Sequence, residues 1–224
     1  MTDTLQQHPA RPRDSTASRV ADTLRARIIE GALPPGAKLS QERVQGALGV
    51  SRSTLREALQ LLIRERLLVH ELDRGVFVRQ LTQEDVSDLY RTRRIVECAA
   101  LRSIEVIRPA GLRRLRGAIE NGRAAAARQE WDRVAAASIG FHEALVALAG
   151  SRRLDEVVTG VLAEFRLAYA FMQDTQTFHV RFLERHTEIA DAVGAGDPEL
   201  AATLLDGYLR DAEAQVLRSY RPQH

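Results

Sequence analysis

The sequence predicts a mainly α-helical protein in two parts. A small N-terminal unit of three helices is closed by a two-stranded hairpin, and a longer antiparallel α-helical bundle follows. Three observations predict this. Up to about residue 80, short segments of helical spacing alternate with glycine and proline turns. From residue 82 onward, nearly every segment is long and amphipathic. The 45% hydrophobic content suits a globular chain, yet no apolar run approaches the ~18 residues that span a bilayer.

The elements follow in order. Residues 1–17 (MTDTLQQHPARPRDSTA) lack the apolar stretch of a signal peptide and read as a disordered polar tail. A first helix, Ser18 to Glu30, sets Val20, Leu24, Ile28 and Ile29 on one face; Gly31 stops it and LPPG (Leu33–Gly36) turns the chain. Ser40 caps a second helix with Val44, Ala47 and Leu48 inward, and Gly49 suits the left-handed turn that ends it. Ser51 caps a third, whose Leu55, Ala58, Leu59, Leu62 and Ile63 keep the spacing of one buried face. Leu67–Glu71 and Val76–Val78 read as strands joined at Asp73-Arg74-Gly75. Helix, helix, turn, helix and a two-stranded wing is the order of a winged helix-turn-helix, expected over residues 18–80.

The third helix hides leucines on one side and offers Arg52, Ser53, Thr54 and Arg56 on the other. A DNA major groove admits a helix, whose N-terminal end meets base edges. Arginine bonds guanine bidentately at O6 and N7, and hydroxyls suit phosphates. A solvated surface helix would present a similar face, but the preceding helix, the Gly49 turn and the wing favour DNA. Charge points the same way. Residues 1–80 carry a formal +4 and the remainder −2, within a net charge of +2. Arginine abundance alone carries no weight, because 31 of the 32 basic residues are arginine throughout the chain.

The remainder, residues 81–220, reads as six helices. Thr82 caps the first, which carries Val86, Leu89, Tyr90, Arg93 and Glu97 to about Ile104. The second opens at Pro109 and runs to about Arg128, the third spans about Trp131–Ala149, and the fourth about Arg152–Gln173. The fifth spans about Thr175–Val193, and Pro198 opens the sixth, which ends near Arg218. Such bundles hold ligands between facing helices. The sole cysteine, Cys98, excludes internal disulfides and thiolate metal clusters, and a cytoplasmic protein follows most simply. An enzyme is not expected. FHEAL begins like the zinc-protease pattern H-E-x-x-H, but Val146 stands where the second histidine belongs.

GALPPGAKLSQERVQGALGVSRSTLREALQLLIRERLL followed by RGVFV closely resembles the DNA-binding domain of GntR-type bacterial transcription regulators. The resemblance covers about residues 18–79. It implies DNA contacts at Arg43, Ser51, Arg52, Ser53, Thr54 and Arg56, with Arg43 and Arg52 reading bases and Gly75 at the wing tip beside the minor groove. The bundle resembles the effector-binding domain of the FadR-type subfamily, through LYRTRRIVECAAL, FHEALVALAGSRRL and ERHTEIADAVGAGDPELAATLL.

Many members of that subfamily hold a divalent metal with one aspartate and three histidines. The resemblance puts His142 and His186 at two histidine positions. Ser138 stands at the aspartate position and Tyr208 at the last histidine position. Half the usual ligands are therefore replaced, and a metal is a weakened alternative, with Glu97 and His179 as further candidate donors. Without metal, Arg93, Ser138, His142, His186 and Tyr208 would line a donor-rich pocket for a small organic acid, with Arg93 as its charge partner. Against this, Arg93 and Glu97 lie i, i+4 and can simply pair with each other. The expectation is an effector-controlled repressor that binds a palindromic operator in double-stranded DNA as a homodimer, away from membranes. A bundle that only dimerises is the alternative.

Overall fold

The computed structural model describes the backbone of residues 15–29, 31–169 and 175–219, and the same residues' side chains apart from 29, 169 and 175–181. The chain forms two compact units, one up to Gln80 and one from Leu81.

The first unit contains α1 (Thr16–Ile29), β1 (Lys38–Leu39), α2 (Gln41–Leu48), α3 (Arg52–Arg64), β2 (Leu68–Glu71) and β3 (Gly75–Val78). Helix α1 starts two residues before the expected Ser18. The cause is Ser15, whose hydroxyl accepts the Ser18 N–H at 3.0 Å and so satisfies an open helix end. Of the expected tail, residues 1–14 lie outside the described residues, while Ala17 is buried within α1. Val20, Leu24 and Ile28 of α1 pack with Leu55, Ala58, Leu59 and Leu62 of α3. Each fully buried large aliphatic side chain contributes roughly 1.5–3 kcal/mol. At the polar edge Arg25 grips Glu65 with two bonds, 2.9 and 2.7 Å.

Helix α2 has the expected ends. Ser40 caps it, and Gly49 closes it at φ 62°, in the left-handed region that favours glycine. Its inward face is thinner than its pattern suggests. Val44 and Leu48 are half-buried and Ala47 is exposed, because this eight-residue helix leans on α3 with only part of its surface. The β2–β3 hairpin forms with Leu68 opposite Val78 and Glu71 opposite Gly75. A third strand was not expected: β1 pairs antiparallel with β3, giving the order β1-β3-β2.

The second unit contains α4 (Gln83–Arg102), α5 (Pro109–Ala127), α6 (Trp131–Ala147), α7 (Arg152–Tyr169), α8 (Thr175–Gly194) and α9 (Pro198–Ser219). The expected end of the fourth bundle helix, Gln173, lies outside the described residues. Thr82 opens α4 with a capping box: its hydroxyl accepts the Asp85 N–H, and the Asp85 carboxylate accepts the Thr82 N–H. Helix α4 packs against α9, α7 and α6, while α5 packs against α6 and α8. Tyr90, Phe141, Phe165, Phe182, Leu101 and Tyr208 are among the fully buried side chains. The inward stripes of α4, α6, α8 and α9 also bury Arg93, Glu97, Ser138, His142, His186 and the Tyr208 hydroxyl. Charged side chains are almost never fully buried unless paired, so this cluster needs a specific account.

Candidate functional site

Two groups of polar residues stand out, one exposed in the first unit and one buried in the second. On the first unit, Ser51 caps α3. Its hydroxyl accepts the Thr54 N–H at 3.1 Å and shares hydrogen bonds with the hydroxyls of Ser53 (2.9 Å) and Thr54 (2.8 Å). The cap therefore occupies three of the predicted contact residues with one another, and Thr54 is half-buried. Arg52, Ser53 and Arg56 are exposed on the first turns of α3, and Arg43 is exposed on α2. The guanidinium groups of Arg43, Arg52 and Arg56 make no hydrogen bond or ion pair among the described residues. Leu55, Ala58, Leu59 and Leu62 anchor the opposite face of α3. A groove between α2 and α3 adds Gln41 and Gln45, which sequence reasoning missed; their i, i+4 spacing beside Arg43 was the available signal.

At the wing, Gly75 adopts φ 107°, a conformation strained for any other residue. Leu72 at the turn is 81% exposed. Phe77 carries two cations over its ring, Arg74 at 5.2 Å and Lys38 at 5.8 Å, and Arg74 also pairs with Glu71. Lys38 was missed because the strand that brings it to the wing is two residues long and has no readable period.

The buried group forms a continuous chain. Arg93 Nε donates to Glu97 Oε1 at 2.7 Å across one turn of α4. His142 Nδ1 lies 2.6 Å from the other oxygen, Oε2. A carboxylate can only accept, so Nδ1 carries the proton and donates. His142 Nε2 then accepts from the Tyr208 hydroxyl at 3.3 Å, and buried Ser138 lies one turn before His142 on α6. Aromatic faces enclose the chain. Phe141 stacks on His186 at 4.1 Å, His186 and Tyr208 lie tilted at 5.1 Å, and the Arg93 guanidinium sits over Phe165 at 4.9 Å.

The electrostatics agree with that assignment. Burial alone would raise the Glu97 carboxyl, but Arg93 and His142 outweigh it and hold it at about 2. Burial pushes His142 below 6.5 despite the pull of Glu97, so the ring is neutral at pH 7. Burial also raises Tyr208 above 10, keeping its hydroxyl a donor. The cluster holds one cation and one anion in contact, with neutral donors beside them.

This donor set does not fit a metal. Both nitrogens of His142 are engaged, both Glu97 oxygens are taken by Arg93 and His142, and the Tyr208 hydroxyl is committed to His142. Among the described residues no group of three or more His, Cys, Asp or Glu could hold an ion. The side chain of His179 lies outside the described residues. Buried Val146 stands where a zinc-protease histidine would be. Sequence reasoning grouped Arg93, Ser138, His142, His186 and Tyr208 and offered Glu97 as a partner of Arg93; the structure adds the bond from Glu97 to His142.

Comparison with known proteins covers both units. Residues 16–78 match the bacterial regulatory proteins of the gntR family, and residues 88–211 match the FCD domain. A solved structure of a GntR transcriptional regulator from Rhodococcus sp. RHA1 is 45% identical, with a TM-score of 0.85 over 92% of this chain and 99% of that one. E. coli McbR/YncC shares the fold at 20% identity and a TM-score of 0.80, over 92% and 99% of the two chains. The "Probable D-xylose utilization operon transcriptional repressor" of Paenarthrobacter nicotinovorans is 31% identical over 84% of this chain and 83% of its own. The Rhodococcus and Paenarthrobacter proteins are described as transcriptional regulators rather than enzymes. The chain belongs to the GntR family of bacterial transcription regulators, with the helix-turn-helix domain and the FCD domain of its FadR-type branch.

Proposed function

We propose that this chain is a repressor that binds a palindromic operator as a homodimer and is controlled by a small carboxylate-bearing metabolite held in the bundle. One observation carries the DNA reading: α3 buries its leucines while leaving the Arg52 and Arg56 guanidiniums exposed and uncommitted among the described residues. Arg43 and Arg52 read bases, Arg56 and the hydroxyls of Ser51, Ser53 and Thr54 meet phosphates, and Gly75 lets the wing backbone approach the minor groove. Two-fold symmetry of the dimer matches two equivalent half-sites. Acting on DNA places the protein in the cytoplasm, and among the described residues no helix is long and apolar enough to cross a membrane.

The effector enters among Arg93, Ser138, His142, His186 and Tyr208. Arg93 is already held by Glu97, so an incoming carboxylate competes with Glu97 for the guanidinium. That exchange would move α4, which begins three residues beyond Gln80 in the chain, and so couple ligand to DNA. The closed hydrogen-bonded chain favours one rival, a bundle that only dimerises. Footprinting on the promoter nearest its own gene tests the first part; protection of no palindrome removes it. A thermal-shift screen of organic acids, sugar acids and acyl-CoA compounds tests the second. A ligand at 100 times its Kd adds about 2.7 kcal/mol, whereas a dimerisation-only bundle gains nothing from any compound.

A further inference from the structure

We propose that the chain Arg93–Glu97–His142–Tyr208 is a metal-free tie that joins α4, α6 and α9, so that this bundle keeps its shape without a divalent ion. The inference stands whether or not the bundle takes an effector. Arg93 and Glu97 come from α4, His142 from α6, and Tyr208 from α9. No two of these helices are adjacent in sequence, so the tie closes long loops of chain. A metal in such a place would do the same work by gathering ligands from several helices. Here the gathering group is the Glu97 carboxylate, 0% exposed, with one oxygen facing Arg93 and the other facing His142.

Charge is balanced within the tie. An ion added beside it would bring two positive charges next to Arg93, whose charge Glu97 already balances. Coordination by His142 Nε2 would also require Tyr208 to give up its hydrogen bond, and a protonated phenol and a serine hydroxyl are poor replacement ligands. Tyr208, which the resemblance puts at a histidine ligand position, is therefore the residue that completes the hydrogen-bonded chain.

Full-length protein is dialysed against EDTA, and its metal content and Tm are compared with those of samples given Zn2+, Ni2+ or Mn2+. The expected result is no bound ion after purification and the same Tm in every sample. A stoichiometric ion surviving purification, or a Tm that falls on chelation, overturns the proposal. Tyr208→Phe removes one link while keeping the ring, and should lower Tm by roughly 2–4 °C without creating a response to metal. An unchanged Tm in that variant shows that the tie bears no load, and the idea fails. The double substitution S138D/Y208H should gain a metal-dependent rise in Tm, and a folded double variant indifferent to all three ions counts against the assignment. If it does not fold, the wild-type and Tyr208→Phe measurements decide.

Discussion

Arginine does opposite work in the two units. Arg52 stands exposed at the start of α3 with no bond among the described residues, whereas Arg93 is 2% exposed and gripped by Glu97. The first is cheap for the fold, because water solvates it until a partner arrives. The second is costly unless compensated, and the whole cluster around it is built to compensate it. Where an arginine is solvated, its loss should be felt in binding; where it is buried, its neighbourhood should be felt in stability.

The largest effect that would break this contrast is on stability. Glu97→Ala removes the carboxylate that balances Arg93 and orients His142, and should destabilise the bundle by about 3–5 kcal/mol. Arg52→Ala should leave stability within about 0.5 kcal/mol. Chemical denaturation of both variants gives the comparison directly. If Glu97→Ala costs under about 1 kcal/mol, the buried pair does not organise the bundle.

Acid should reveal the same cluster. His142 and Glu97 both have folded pKa values depressed below their unfolded ones, so both contribute stability that is present at high pH and lost as pH falls. Loss begins below about 6.5, where His142 of the unfolded chain protonates. It steepens from 4.5 toward about 2, where the unfolded Glu97 binds a proton and the folded one does not. The carboxylate part is worth on the order of 3 kcal/mol. Urea midpoints measured from pH 7 to 3 should fall along that course, and Glu97→Gln should flatten its lower part. A flat profile in the wild-type protein would refute the pairing.

The exposed side of the contrast is tested on DNA. Arg52→Ala should lose about 1–3 kcal/mol of discrimination between operator and unrelated duplex, tenfold to roughly a hundredfold, while retaining salt-sensitive binding. Unchanged discrimination in a competition binding assay would show that another residue reads the bases.

Legibility in the sequence divides along the same line. The caps Ser40, Ser51 and Thr82, the buried face of α3 and the hairpin follow local rules of spacing and residue type, and a sequence displays these openly. Strand β1 did not show itself, since two residues cannot display a period and Lys38–Leu39 pair only because β3 is already there. Ser15 was hidden inside a polar stretch that reads as a tail. Arg93 and Glu97, four residues apart, were a visible pair. The bond from Glu97 to His142 was not, because it joins two helices 45 residues apart and no local pattern encodes it. The exposed surface could thus be read position by position, while the buried cluster needed the packing to show which atoms meet.

The smallest effect falls on Ser51, where the two kinds of role meet in one residue. Its hydroxyl is the N-cap of α3 and accepts the Thr54 N–H, and it is also a proposed DNA contact. Ser51→Ala should cost the first unit about 1 kcal/mol, the usual loss for a removed cap. Ser51→Asn restores an acceptor at the same place and should recover most of that stability. Operator affinity measured on the two variants then separates the roles. If capping dominates, affinity follows stability and returns with asparagine. If the hydroxyl itself meets a phosphate, affinity stays low in both variants while the thermal midpoint recovers only in Ser51→Asn. The proposed phosphate contact predicts the second outcome, because the Ser51 oxygen can keep accepting the Thr54 N–H while its O–H turns to donate to a phosphate.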